Sequence, residues 1–214
     1  MRLYGPWSHR RSRMRILSNR GRLPDTAHVP TPEWDDLDAM VASACAGDET
    51  AFVLLFREVQ PRLLRYLQTL SGSAAEDIAA ETWLQVVRGL ARFSGDGRSF
   101  RGWVFTIAHA RMVDVWRASG RRPETLAGTV PDGASECDVP RDVEEIVSTE
   151  AALSLLRELP EAQAQVLLLR VVAGLDVATT AEILGRTPNH VRVLAHRGLR
   201  ALTSVLEERE TLPL

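Results

Sequence analysis

Apolar residues recur at three- and four-residue steps along most of the chain, a spacing that predicts helices. The clearest example follows Gly47 and Asp48, where Asp48 is placed to cap a helix over 49–70. Seven apolar side chains would share one face of that helix: Phe52, Leu55, Phe56, Val59, Leu63, Leu64 and Leu67. A face of this kind is buried against neighbouring helices. The pattern therefore predicts an all-α fold.

The helix over 49–70 belongs to a first helical block, and the rest of that block contains sequence signals for turns and helix caps. Ser73 and Glu76 have the spacing of a capping box, which predicts a helix running to about Leu90. The segment 94–97 (SGDG) predicts a turn, and a further helix is expected from Arg101 to about Ser119. We expect a compact helical domain over residues 37–120.

A second helical block is predicted over residues 149–209. Asp176 is placed to cap a short helix over 177–184 that ends at Gly185, and Thr187 and Pro188 open a longer helix. Two helices joined by a three-residue turn that contains glycine are typical of a helix-turn-helix. The two blocks thus have different architectures.

Composition changes sharply outside the two blocks. Residues 1–36 combine seven arginines between Arg2 and Arg22 with scattered prolines, which predicts a disordered basic tail. A start codon assigned too far upstream would explain the tail equally well, since Met14 and Met40 are alternative starts. Residues 121–148 are rich in Gly, Pro, Ser and acids, which predicts a flexible acidic linker.

Overall composition excludes several classes of protein. The 214 residues carry a net charge of −2, and no stretch is apolar enough for a membrane span or a secretory signal, so we expect a cytoplasmic protein that does not contact a membrane. The two cysteines and five histidines form no metal-ligand cluster and no catalytic triad spacing. We therefore expect no metal, no cofactor and no enzymatic activity.

Charge is concentrated in one segment, residues 93–122. It holds six arginines against two acids, Asp96 and Asp114, and five of the chain's twelve aromatic residues. Guanidinium groups bind phosphates and aromatic rings stack on unpaired bases, so this mixture suits single-stranded or opening nucleic acid. A helix with core aromatics and a solvated basic face would show the same composition.

The second helix of the helix-turn-helix has the chemistry to read a major groove. Its first half offers Asn189, His190, Arg192, His196 and Arg197, with no acid before Glu207. Arginine can pair bidentately with guanine, and asparagine with adenine. Helical hairpins also pack as plain protein domains, so DNA binding is the stronger of two interpretations.

Taken together, the two blocks resemble the extracytoplasmic-function (ECF) class of the sigma-70 family, the compact bacterial RNA polymerase sigma factors. The resemblance spans about residues 37–207 and is carried by the following segments: 47–52 (GDETAF), 75–84 (AEDIAAETWL), 100–108 (FRGWVFTIA) with Asp114 and Arg117, Leu159 with Pro160, Gly174 with Leu175, 183–185 (ILG), and Val191 with Arg192. It implies sigma domain 2 and a helix-turn-helix sigma domain 4, joined by the linker.

The resemblance also implies a role for each block. The exposed face Asp77, Glu81 and Gln85 would bind core RNA polymerase at the clamp helices of its largest subunits, and domain 4 would contact the flap. The minus-10 element would be read by Ser94, Asp96, Arg98, Ser99, Phe100, Arg101, Arg111 and Arg117. The minus-35 element would be read by Thr187, Asn189, His190, Arg192, His196 and Arg197, within the helix-turn-helix 177–200. Trp103 and Trp116 are expected to serve mainly as core residues.

The sequence departs from the family pattern in four places. Ala80 stands where glutamine is usual, Ala110 where asparagine is common, and 178–181 (ATTA) where acids are expected. The recognition helix reads 189–194 (NHVRVL) in place of the usual Gly-Thr-Val-Lys-Ser-Arg. We therefore expect promoter contacts that differ in detail from those of relatives.

The resemblance implies two certain partners and one conditional partner: core RNA polymerase, promoter DNA and, in many relatives, an anti-sigma factor. The alternative function is a two-domain helix-turn-helix regulator that acts without the polymerase core. Core dependence separates the two, because a sigma factor alone binds promoters weakly.

Overall fold

The structure, a computed structural model, describes residues 34–120 and 150–211. Every regular element in these two ranges is a helix, which confirms the predicted all-α class for the described part of the chain. The predicted tail falls almost wholly outside these ranges. The predicted linker 121–148, with Cys137, also lies outside the described residues.

The first block contains four helices and a short 3-10 turn. They are α1 (Trp34–Cys45), α2 (Glu49–Ser71), the 3-10 turn (Gly72–Ala74), α3 (Ala75–Leu90) and α4 (Gly97–Ala118). Helix α2 packs against α1, α3 and α4, and its buried stripe includes Leu55, Val59, Leu63 and Leu67. The predicted cap is confirmed, because the Asp48 carboxylate accepts hydrogen bonds from the amides of Thr50 and Ala51 at 2.8 and 3.2 Å.

Two predicted helix starts are wrong. Ser73 lies inside the 3-10 turn, and the residue before α3, Ala74, makes no side-chain cap, so the expected capping box does not form. Helix α4 begins at Gly97, four residues before the predicted start at Arg101. Ser94 and Asp96 therefore precede the helix, whereas Arg98, Ser99 and Phe100 lie in its first turn, because Asp96 caps α4 by accepting a hydrogen bond from the Ser99 amide at 2.7 Å.

The second block is also helical. It comprises α5 (Glu150–Leu156), α6 (Glu161–Leu167), a π-helical segment (Leu168–Val172), α7 (Val177–Leu184) and α8 (Pro188–Thr211). The predicted cap at Asp176 is confirmed by its 2.8 Å hydrogen bond from the Thr179 amide, and Gly185 ends α7 in the left-handed conformation. Helices α6 and α7 both pack against α8.

The two blocks contact each other through α2 and α4. Helix α4 packs against α7, and α2 packs against α5 and the π-helical segment. Tyr66 of α2 is fully buried, and burial together with the nearby Glu161 of α6 raises the pKa of its phenol. The order of elements along the chain does not predict this contact between blocks.

A largely buried histidine makes the stability of the fold depend on pH. His109 Nδ1 and the Tyr66 hydroxyl are hydrogen-bonded at 2.9 Å, and burial lowers the pKa of His109 to about 4. The folded protein keeps this imidazole neutral, whereas the unfolded chain takes up a proton below a pKa of about 6.5. The contribution of this group to the free energy of unfolding is therefore fully present above about pH 6.5 and is lost as the pH falls toward 4.

We expect this group to lower the free energy of unfolding by about 2 kcal/mol between pH 7.5 and pH 5. Urea denaturation at the two pH values measures the change, and His109→Gln is the control because glutamine does not titrate. The loss should shrink markedly in His109→Gln. An equal loss in wild type and variant would contradict the assignment.

Candidate nucleic-acid interface

The loop before α4 and the first turn of that helix form the predicted minus-10 site. The Asp96 carboxylate accepts hydrogen bonds from the side chain and backbone of Ser99, and these, with the nearby Arg98, hold its pKa below the usual value. Ser94, Arg98 and Ser99 are exposed around this cap. The site therefore presents an arginine and two hydroxyl groups to solvent at a helix start.

An aromatic cluster, formed by Phe93, Phe100 and Trp103, packs next to this loop. Phe93 stacks on Trp103 with centroids 4.9 Å apart, and Phe100 meets both rings edge-on. Phe100 is fully buried, and Trp116 is nearly so. In this arrangement the Phe100 ring offers no face to an unpaired base, although Trp103 and Phe93 are partly exposed. The expectation that the tryptophans serve the core is confirmed for Trp116.

The arginines of α4 divide into exposed and buried groups. Arg98, Arg111 and Arg117 are exposed, and Arg111 and Arg117 each lie within 4 Å of the Asp114 carboxylate. These surface ion pairs are weak, so both guanidinium groups can exchange the carboxylate for a phosphate. Arg101 is only 5% exposed, so in this arrangement it does not face a phosphate.

The predicted polymerase-binding face lies on α3, beside α4. Asp77, Glu81 and Gln85 are all exposed there. Gln85 Oε1 accepts hydrogen bonds from Nη2 and Nε of Arg111 at 2.9 and 3.3 Å, so the predicted polymerase face and the predicted DNA face share a contact. The sequence reasoning placed these two residues in separate sites.

The same surface carries apolar side chains that the sequence analysis did not single out. Leu84 is 49% exposed and Val87 is 40% exposed, both on α3. Exposed apolar residues next to charged ones are typical of protein interfaces. The sequence signal was available, because both residues fall outside the buried stripe of α3 that contains Ile78, Trp83 and Val86.

The helix-turn-helix consists of α7, a three-residue turn (185–187) and α8. Thr187 accepts a hydrogen bond from the His190 amide at 3.2 Å, as expected for the cap of α8. Thr187, His196 and Arg197 are exposed, and Asn189, His190 and Arg192 are partly exposed. Burial and the nearby Arg186 and Arg197 lower the pKa of His190, which favours its neutral form.

The first turn of α4 touches the first turn of α7. Arg98 Nη1 lies 4.0 Å from Asp176 Oδ2, and a Cβ placed on Gly102 would lie 2.9 Å from Thr179 Cγ2. Partial burial tends to raise the pKa of Asp176, but hydrogen bonds from Thr179 and the charge of Arg98 outweigh it, so the pKa is lowered. The contact lies beside the predicted minus-10 site and leaves the Arg98 side chain 71% exposed.

Residues 34–120 and 150–211 contain no group of three or more His, Cys, Asp or Glu side chains that could hold a metal ion. No helix in the same ranges combines the length and the apolar character needed to cross a bilayer.

An arginine-bearing helix beside a helix-turn-helix defines the class as a DNA-binding protein.

Comparison with known proteins gives the family. Residues 55–122 match the model of sigma-70 region 2, and residues 149–202 match that of sigma-70 region 4. The chain is 35% identical over 179 residues to the ECF RNA polymerase sigma factor SigD of Mycobacterium tuberculosis, covering 80% of this chain and 84% of SigD. It is 36% identical over 183 residues to the ECF sigma factor ShbA of Streptomyces griseus, covering 80% and 96%. The chain therefore belongs to the ECF class of the sigma-70 family, as the sequence motifs indicated.

A solved structure shows the same fold. The sigma factor RpoE of Bartonella quintana, in complex with the anti-sigma factor NepR, superposes with a TM-score of 0.53 at 20% identity. The match covers 73% of this chain and 96% of RpoE.

Proposed function

We propose that this protein binds core RNA polymerase, recruits it to promoters through the minus-35 and minus-10 elements, and helps to open the DNA. One observation carries the proposal: a single chain holds region 2 and region 4 in family order, with exposed arginines on α4 and a capped recognition helix α8. The polymerase supplies the catalytic groups, and this protein acts in the cytoplasm without a cofactor or a metal of its own.

The minus-10 element binds at the start of α4 and along its exposed side. Ser94, Asp96, Arg98 and Ser99 surround the loop, while Arg111 and Arg117 contact the DNA backbone further along the helix. Phe100 and Arg101 belong to the same site but are buried here. They either support the loop from within the core or contact the DNA after a local rearrangement on binding.

The minus-35 element binds α8 in the major groove. Asn189, His190, Arg192 and His196 face the base edges, while Thr187 and Arg197 contact phosphates. The lowered pKa of His190 favours the neutral imidazole, which can both donate and accept a hydrogen bond at a base edge.

The polymerase binds the exposed face of α3. Asp77, Glu81 and Gln85 provide its polar contacts with the clamp helices, and Leu84 adds apolar area in the middle of the same face. Region 4 contacts the flap. The contact of Gln85 with Arg111 places polymerase binding next to the minus-10 site.

Promoter binding requires the two blocks to separate. The names minus-35 and minus-10 place the two elements about 25 base pairs apart, which is about 85 Å at about 3.4 Å per base pair. Arg98 and Asp176 are 4.0 Å apart here, so regions 2 and 4 cannot occupy both elements in this arrangement. An anti-sigma factor is a third candidate partner, because binding that favoured the packed arrangement would prevent initiation.

A regulator that works without core polymerase is the alternative function. The exposed polar and apolar face of α3 has no role in that alternative, and the match to region 2 argues against it. Transcription by purified core polymerase over a promoter library separates the two functions. The sigma function predicts transcripts only when core and this protein are both present.

The same library tests the recognition helix. We expect Arg192→Ala to lose about 1–3 kcal/mol of discrimination at a single base pair of the minus-35 element. Arg197→Ala, the matched control, should weaken all promoters to a similar degree, because a phosphate contact carries no sequence information. A uniform loss in Arg192→Ala would show that this side chain does not read a base.

A further inference from the structure

Helix α1 touches the predicted minus-10 site although it precedes the stretch that matches region 2. That match begins at residue 55, whereas α1 spans Trp34–Cys45. Asp38 Oδ1 accepts a hydrogen bond from the Gly97 amide at 2.7 Å, across 59 positions of sequence. Asp38 thus joins α1 to the start of α4.

This hydrogen bond adds a second carboxylate to the cap of α4. The first amides of a helix have no partner within the helix, and Gly97 is the first residue of α4. Asp96 satisfies the Ser99 amide from within the loop, and Asp38 satisfies the Gly97 amide from α1. Two carboxylates from different parts of the chain therefore hold the same helix start.

Close packing makes the connection rigid. Gly97 is buried, and a Cβ at this position would lie 2.5 Å from Leu37 Cβ and 3.3 Å from the Leu37 carbonyl carbon. Leu37 is itself 1% exposed, so α1 is anchored in the core at the residue next to Asp38. The loop is therefore pressed against the backbone of α1, and only glycine fits there.

The carboxylates also decide where a phosphate can bind. A helix start with free amides attracts phosphate, but here Asp38 and Asp96 occupy two of these amides. A DNA phosphate is instead directed to the exposed Arg98, one residue beyond Gly97. Arg98 directly follows Gly97, so the hydrogen bond from Gly97 to Asp38 holds the backbone from which the Arg98 side chain extends.

We propose that Asp38 is a positioning residue for minus-10 recognition, one that holds the loop and the first turn of α4 in the conformation that reads DNA. The role rests on the proposed function, because it requires the loop to bind the minus-10 strand. It extends the minus-10 site to a helix that the sequence analysis did not connect with DNA.

The test measures binding of holoenzyme, formed with purified core polymerase, to a single-stranded minus-10 oligonucleotide. We expect Asp38→Ala to weaken binding about tenfold and Asp38→Asn to restore most of it, since an amide oxygen still accepts the hydrogen bond. Core affinity should stay within about twofold of wild type in both variants. Amide exchange at Gly97 should be faster in Asp38→Ala and close to wild type in Asp38→Asn.

Asp48→Ala is the matched control, because the Asp48 carboxylate also accepts hydrogen bonds from the first amides of a helix in the same block, and it lies outside the loop. It should lower the urea midpoint by a similar amount and leave oligonucleotide binding unchanged. Equal losses of binding in Asp48→Ala and Asp38→Ala would reduce Asp38 to a general stabilising role and overturn the proposal. Unchanged binding in Asp38→Ala would overturn it as well. Absence of binding by the wild-type holoenzyme would instead overturn the proposed function, and this role with it.

Discussion

Asp77→Arg is expected to weaken the affinity for core polymerase by at least about tenfold, or about 1.4 kcal/mol, and to abolish transcription at limiting protein. Asp77 is exposed in the first turn of α3, on the face assigned to the clamp. Reversing a charge within a complementary interface places like charges together, which costs several kcal/mol. Titration of fluorescently labelled core with each variant measures the affinity directly.

Glu76→Arg is the control for this substitution. Glu76 is exposed in the same turn of α3 and loses the same favourable interaction with the helix start, but it points about 100° away around the helix axis. The affinity of the Glu76→Arg variant for core polymerase should stay within a few-fold of the wild-type value. Circular dichroism should show equal helicity in Glu76→Arg and Asp77→Arg. Equal losses in the two variants would show that helix stability, and not docking, is responsible.

Locking α4 to α7 is expected to stop initiation almost completely. A Cβ on Gly102 would lie 2.9 Å from Thr179 Cγ2, which places the two Cβ atoms within about 4.5 Å, the range of a disulfide. The double variant Gly102→Cys with Thr179→Cys, in a background of Cys45→Ser and Cys137→Ser, should therefore crosslink on oxidation. The crosslink retains the packed arrangement, so regions 2 and 4 cannot span both promoter elements.

Transcription by the crosslinked protein should fall by more than about tenfold and return when the disulfide is reduced. Reversal by reductant separates the crosslink from any direct effect of the substitution at Gly102, which lies on the minus-10 helix. The two single-cysteine variants, treated identically, should show no dependence on reductant. Full activity of the crosslinked form would mean that the blocks do not need to separate.

Local signals in the sequence predicted most of the helices. Asp48, Asp176 and Gly185 act on residues within a few positions of themselves, so their effect on the backbone can be inferred without the fold. The capping box predicted at Ser73 does not form because the chain makes a 3-10 turn there, and this turn uses the residues that a capping box needs. The start of α4 failed in part because one of its caps, Asp38, is 59 positions away.

The candidate site was predictable in composition but not in geometry. The arginine-rich segment and the recognition helix were visible as residue types, and the exposed positions of Arg98, Arg117 and Arg197 fit those assignments. The burial of Phe100 and Arg101 depends on packing by Phe93, Trp103 and neighbouring helices, which periodicity alone does not reveal. The contact of α4 with α7 joins residues far apart in the sequence, and the pattern of apolar and polar positions does not predict it.

The most direct test of the central claim is permanganate mapping of unpaired thymines in promoter DNA with core polymerase and this protein. Thymines in the minus-10 element should become reactive only when both proteins are present, and Asp77→Arg should remove that reactivity. Opening by core alone, or footprints on the same promoter by this protein alone at equal strength, would contradict its assignment as the factor that directs the polymerase to open DNA.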